Sequence, residues 1–114
     1  MKLSLNYVSI IVSSEAGVCF YKDLGFKEIS RVVRKEMHDE LVLLSNGEFG
    51  LRLYKDNTHP IRNRKPESLG LRYLCFDVDS LDSFKDAEIK EDQNGRFVFL
   101  YDPEGQPVQI RERR

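Results

Sequence analysis

The apolar positions change period several times along the chain, and each change marks an element. Leu3 to Val12 is an apolar-rich run that reads as a buried strand. After Ser13-Ser14-Glu15 the apolar positions Ala16, Cys19, Phe20 and Leu24 fall at helical spacing, and Gly25 stands where a helix ends on a left-handed residue. Phe26 to Val33 and Leu41 to Leu44 are further strand candidates. Ser45-Asn46-Gly47-Glu48 is a hairpin signal that leads into a strand from Phe49 to Tyr54. The predicted order is βαβββ. Lys55 to Ser68, KDNTHPIRNRKPES, is polar and carries two prolines, which predicts a linker and not a packed element.

The pattern then starts again. YVSIIVSS, Tyr7 to Ser14, matches YLCFDVDS, Tyr73 to Ser80, as Tyr, apolar, small, apolar, variable, Val, polar, Ser, an internal repeat offset by 66 residues. A short helix over Leu81 to Ala87 follows, then a strand near Ile89, an Asn94-Gly95 hairpin, the apolar run Phe97 to Tyr101 and a closing strand from Pro107 to Arg111. The closing PVQI answers GLRL, Gly50 to Leu53, at an offset of 57 residues, so the second copy is trimmed in its helix and following strand. The expected fold is α+β: two βαβββ modules related by pseudo-twofold symmetry, residues 1–54 and 69–114 joined by a linker at 55–68, in a single domain. Two such units are expected to set their sheets edge to edge around a concave surface, where small ligands bind.

Composition narrows the function classes. The chain has 114 residues, suited to one domain, and 18 basic against 19 acidic residues give a net charge of −1 with no single-sign tail. Nucleic acid and anionic membranes are therefore not expected partners. The N-terminal apolar run is too short to span a membrane and lacks a signal-peptide cleavage pattern, so a cytoplasmic protein is expected. Cys19 and Cys75 sit within apolar patterns and outside any CxxC, which predicts free, buried thiols.

Three segments carry the resemblance to a known family: FYKDLGF (Phe20 to Phe26), LGLRYLCFDVD (Leu69 to Asp79) and YDPEGQPVQI (Tyr101 to Ile110). In that order the chain resembles the vicinal oxygen chelate superfamily of glyoxalase I, bleomycin-resistance proteins and extradiol dioxygenases, and in particular short bacterial glyoxalase-like proteins. The resemblance implies paired βαβββ modules in a cupped mixed sheet, a homodimer in small chains, and in the catalytic branches a divalent metal held by four residues, usually His or Glu. It places those four positions at Tyr7, Arg52, Tyr73 and Gln109, and the internal repeat independently pairs Tyr7 with Tyr73 and Arg52 with Gln109.

None of the four is a His or a carboxylate. A phenol must lose its proton before it ligates a divalent ion, an amide oxygen is a weak neutral ligand, and a guanidinium repels a cation. The expectation is no metal, no cofactor and no catalytic residue. What remains is a set of donors suited to a carboxylate or phosphate oxygen on an apolar or aromatic ligand. Period two adds Ser9 and Ile11 beside Tyr7, Tyr54 beside Arg52, Cys75 and Asp77 beside Tyr73, and Arg111 beside Gln109. Cys75 lacks a neighbouring His in the pattern and reads as a lining or core thiol; KEMHDE (Lys35 to Glu40) reads as a solvated connection; Arg62-Asn63-Arg64-Lys65 reads as solvated surface.

The leading expectation is a metal-free, glyoxalase-like protein that binds a small anionic organic ligand. The rival readings are a metal-dependent lactoylglutathione lyase-like or dioxygenase-like enzyme with non-standard ligands, and a non-catalytic interaction protein with a filled cleft in which Arg52 pairs with Asp77 or another internal carboxylate. The superfamily's drug-sequestering proteins are acidic dimers that take a basic drug, so the near-neutral charge and Arg52 make a cationic drug a poor fit here.

Overall fold

Alternation of apolar and polar residues decides which face of each strand is covered, and in the computed structural model it produces two four-stranded mixed sheets. The structure describes residues 1–63, 65 and 67–114, in two compact units, Met1–Ile61 and Arg62–Arg114. Arg64 and Pro66 of the basic linker stretch lie outside the described residues.

The first unit runs β1 (Tyr7–Val12), α1 (Glu15–Asp23), β2 (Lys27–Arg34), β3 (Asp39–Ser45) and β4 (Gly50–Lys55), with a 3-10 turn at Lys35–Met37. Its sheet order is β1-β4-β3-β2, with β1 parallel to β4 and the other pairs antiparallel. Leu51 and Leu53 on β4, Val42 and Leu44 on β3, and Val12 point into a core closed by Val18 and Tyr21 of α1 and by Phe26. The residues between them in sequence, Arg52 and Tyr54, therefore face the other side of the sheet.

The second unit runs β5 (Leu74–Val78), β6 (Lys90–Asp92), β7 (Gly95–Tyr101) and β8 (Pro107–Glu112), with a 3-10 turn at Asp82–Phe84. Its order is β5-β8-β7-β6 with β5 parallel to β8, so the two sheets have the same topology strand for strand. The register carries the repeat to single residues: Ser9 pairs with Arg52, and their counterparts Cys75 and Gln109 pair with each other. Leu81, Val98, Val108 and Ile110 form the smaller core. The α+β class and two-module architecture are as expected, with the second copy trimmed.

Four local expectations are corrected. The first strand begins at Tyr7 and not Leu3, because its partner β4 begins at Gly50, whose N–H donates to Asn6 O at 2.8 Å; Leu3 and Leu5, before any ladder, are exposed. The buried face of α1 is Gly17, Val18 and Tyr21, and not Ala16, Cys19, Phe20 and Leu24. Gly17 explains the rotation: a Cβ there would sit 2.6 Å from Val12 Cβ, so the helix packs closest to β1 through the residue that a hydrophobic pattern ignores. Cys19 and Cys75 are free, as expected, but exposed. The helix over Leu81 to Ala87 is only a 3-10 turn, with Phe84 N–H donating to Leu81 O and Ala87 N–H to Phe84 O. Leu81 is the only residue of that segment that is buried, too little apolar anchoring for so short a helix.

The DPEG turn is built for positioning. Asp102 is 4 % exposed, and its Oδ1 accepts from the Glu104 and Gln106 N–H groups, both at 2.9 Å. Gly105 takes φ +84°, the left-handed conformation the turn requires. This turn aims β8, and with it Gln109 and Arg111.

Candidate functional site

In the first unit, Tyr7, Ser9 and Ile11 on β1 and Arg52 and Tyr54 on β4 lie on the sheet face opposite the core, brought side by side by the parallel register Ser9 to Arg52 and Ile11 to Tyr54. The Arg52 guanidinium carbon lies 4.1 Å from the centre of the Tyr7 ring. Among the described residues the half-buried Arg52 has no carboxylate partner. Its neighbour differs: Arg34 covers Tyr54 at 4.7 Å and is held by Asp39 through bonds of 2.7 and 2.6 Å. Arg34 thus spends its fork on an internal acid, and Arg52 meets no such acid among the described residues.

In the second unit the equivalent face is a cavity of about 860 Å³. Tyr73, Gln109 and Arg111 line it; the cavity lining does not include Cys75 or Asp77, which are exposed on β5. The sulfur of Cys75 is partly desolvated, which raises its thiol pKa, while the Arg111 charge works in the opposite direction. Tyr73, Phe97 and Phe99 form an edge-to-face chain, with centroids 5.1 Å apart for Tyr73 and Phe99 and 5.8 Å for Phe97 and Phe99. Above it Arg111 stands 4.8 Å from the Phe97 ring centre, donates from Nε to Gln109 Oε1 at 3.2 Å, and grips Asp92 with both Nη atoms. That grip holds the Asp92 carboxyl below the usual carboxylate range.

Several lining residues escaped the sequence pattern. Arg62, Lys65, Glu67 and Arg72 come from the stretch read as linker or from its end, and Lys90 and Asp92 from the short β6. Arg62 is no solvated charge: Nε donates to Gln106 Oε1 at 2.9 Å and Nη2 to the carbonyls of Leu71 and Arg72 at 3.3 and 3.2 Å. Gln106 Nε2 returns a bond to Arg72 O at 3.2 Å, so the segment is strapped to the turn that precedes β8. Arg72 is paired with Glu67 at 3.0 Å. A signal was present in the sequence as the basic run beside prolines; its destination was not, because long-range hydrogen bonds leave no periodicity.

The charged stretch Lys35 to Glu40 holds no converging ligand set. Asp39 is taken by Arg34, Glu40 by Lys55 and Arg31, and His38 sits at φ 56° on the turn. Among the described residues no three His, Cys, Asp or Glu side chains come together as a metal site, and no helix is long and apolar enough to cross a membrane.

This architecture is shared with known proteins. The chain is 32 % identical to the uncharacterised protein YwkD of Bacillus subtilis strain 168, with 96 % of each chain covered. Its fold superposes on the crystal structure of SMU.1112c with a TM-score of 0.86 at 27 % identity, covering 96 % of this chain and 98 % of that one. A glyoxalase family protein from Enterococcus faecalis follows with a TM-score of 0.80 at 26 % identity and 97 % of both chains covered. No family model matches the sequence. The duplicated four-stranded sheet topology, the overall sequence identity and these structures together make the chain a member of the vicinal oxygen chelate superfamily, in its glyoxalase-like group.

Proposed function

We propose that this protein binds a small anionic organic molecule on its open sheet faces and does so without a metal ion. One observation carries the reading: Arg52, at a position where metal-dependent relatives are expected to place a ligand, is a stacked guanidinium with no acid partner among the described residues. A fixed positive charge at that point opposes a divalent cation and favours an oxyanion, which the planar fork accepts through two parallel N–H bonds. The other three positions agree in chemistry, because Tyr7, Tyr73 and Gln109 offer neutral hydrogen-bonding groups and no anionic oxygen or imidazole. The residues present do not fit the divalent ion of the catalytic branches, and metal-assisted enolisation would also need a carboxylate base that these positions lack.

Ser9, Tyr54, Cys75 and Arg111 complete the proposed set from the neighbouring register positions. The lyase-like reading would require ligands from elsewhere in the chain, and the described acids near these faces are committed, Asp39 to Arg34 and Asp92 to Arg111. We further take the protein to be cytoplasmic and a homodimer, and exposed Ile29, Val32 and Val33 on β2, an edge strand of the first sheet, support the dimer. The test of the metal-free reading is equilibrium dialysis against nickel, zinc and manganese, followed by elemental analysis. The proposal expects far less than one ion per chain; one tightly held ion per chain, lost on Gln109→Ala, would refute it.

A further inference from the structure

We propose that the cavity of the second unit takes a flat aromatic acid, and that Asp92 holds the carboxylate seat on Arg111 until the ligand replaces it. The inference rests on the anion-binding reading above and adds a ligand class and a resident competitor. The ring seat is the edge-to-face chain Tyr73, Phe99 and Phe97, whose three rings all line the cavity, next to the Arg111 that stacks on Phe97. The acid seat is the Arg111 fork. Asp92 already fills it in the geometry a ligand carboxylate would adopt, with Oδ1 taking Nη1 at 3.2 Å and Oδ2 taking Nη2 at 2.5 Å.

Two features separate this pair from an ordinary structural ion pair. Asp92 ends β6, a strand of only three residues, all exposed and paired to β7 alone, so it can yield without disturbing the core. Beside the fork stands Gln109, 5 % exposed, whose Oε1 accepts from Arg111. Its Nε2 has no acceptor among the described residues and is not sealed from solvent, which directs an unused amide donor into the cavity. A ligand carboxylate carried by a ring in the cavity can meet that donor as well as Arg111; the Asp92 carboxylate accepts from both Arg111 Nη atoms and from the Asn94 N–H at 2.9 Å and makes no bond to Gln109. Lys65 and Lys90 on the cavity wall add positive charge that draws an anion in.

The experiment is an equilibrium titration of the full chain with 2-naphthoate and its neutral counterpart 2-naphthamide, for wild type, Asp92→Asn, Gln109→Leu and Arg52→Ala. Asparagine at 92 keeps the oxygen that accepts from Asn94 N–H, so the turn survives while the competing charge is removed. We expect naphthoate to bind at least tenfold more tightly than naphthamide, Asp92→Asn to tighten naphthoate about threefold or more without moving naphthamide, and Gln109→Leu to weaken naphthoate about fivefold. Equal binding of the two probes, or Asp92→Asn leaving naphthoate affinity unchanged or weaker while the thermal transition stays within a few degrees, overturns the proposal. Loss of naphthoate binding on Arg52→Ala with no effect of Asp92→Asn also overturns it, while leaving the anion-binding reading of the first unit standing.

Discussion

Arg52→Ala separates recognition from architecture. In the structure Arg52 contributes a cation over the Tyr7 ring at 4.1 Å and no ion pair among the described residues. Such a contact at a half-exposed site is worth about 0.5–1 kcal/mol. For a chain of 114 residues that loss lowers the thermal midpoint by roughly 2–6 °C. Had Arg52 been one half of an enclosed ion pair, its removal would strand a buried charge at a cost of about 3–5 kcal/mol. For binding the scale reverses. A hydrogen bond between an ionised pair contributes about 1.5–3 kcal/mol, which is roughly 10- to 150-fold in affinity. At an anion concentration of about 100 times the dissociation constant, ligand stabilises the wild type by about 2.7 kcal/mol, and a tenfold weaker variant retains about 1.4 kcal/mol. Denaturant titration with and without a panel of aliphatic carboxylates and organic phosphates reads both quantities in one assay. The variant should lose little intrinsic stability and about half or more of the ligand-induced stabilisation. A loss of several kcal/mol without any change in ligand response would show that Arg52 is structural and refute the reasoning.

Gly17→Ala should destabilise the protein by about 1–3 kcal/mol although alanine is the better helix former, because the new Cβ meets Val12 Cβ at 2.6 Å and Cγ1 at 2.8 Å; a more stable variant in urea would contradict the close approach of α1 to β1. Glu15 has its carboxyl lowered from 4.5 to about 2, first by its hydrogen bonds to Arg31 and then by Lys55. A depressed carboxyl contributes stability that is complete above the unfolded value and lost as pH falls toward 2, so the gap between wild type and Glu15→Gln should shrink across that window. The site is half exposed, which holds the whole effect to less than about 1 kcal/mol. An unchanged gap at pH 2.5 would argue against the pair. Both cysteines should react with iodoacetamide in the native protein, Cys75 more slowly than a free thiol at pH 7 because its pKa is raised; protection of both until unfolding would contradict their exposure. Sedimentation should give about twice the 13.3 kDa chain mass, and a monomer at micromolar concentration would remove the dimer from the account.

Repetition made the fold legible. Tyr7 to Ser14 against Tyr73 to Ser80 fixes two copies of one strand, and alternation in GLRL and PVQI assigns Arg52 and Gln109 to equivalent strand positions, each in its own sheet. The packing of α1 was not legible, since the residue closest to the sheet is Gly17, which has no hydrophobic signal. Nor was the weak second helix, where Leu81 alone is buried among seven residues. In the candidate site, residues at strand register were readable and those delivered by loops were not. Arg111 was found by period two, but its hold on Asp92 joins residues 19 apart, and Arg62 reaches Gln106 across 44. Contacts of that kind come from the closed topology and leave no local trace.

On the proposed reading, a family scaffold carries an anion seat at a position where its catalytic branches hold a cation. Native mass spectrometry of protein purified without chelator tests it most directly. The mass should be that of the metal-free polypeptide assembly, or that mass plus an organic acid displaced by 2-naphthoate. A stoichiometric nickel, zinc or manganese adduct that survives buffer exchange and disappears in Gln109→Ala would contradict it.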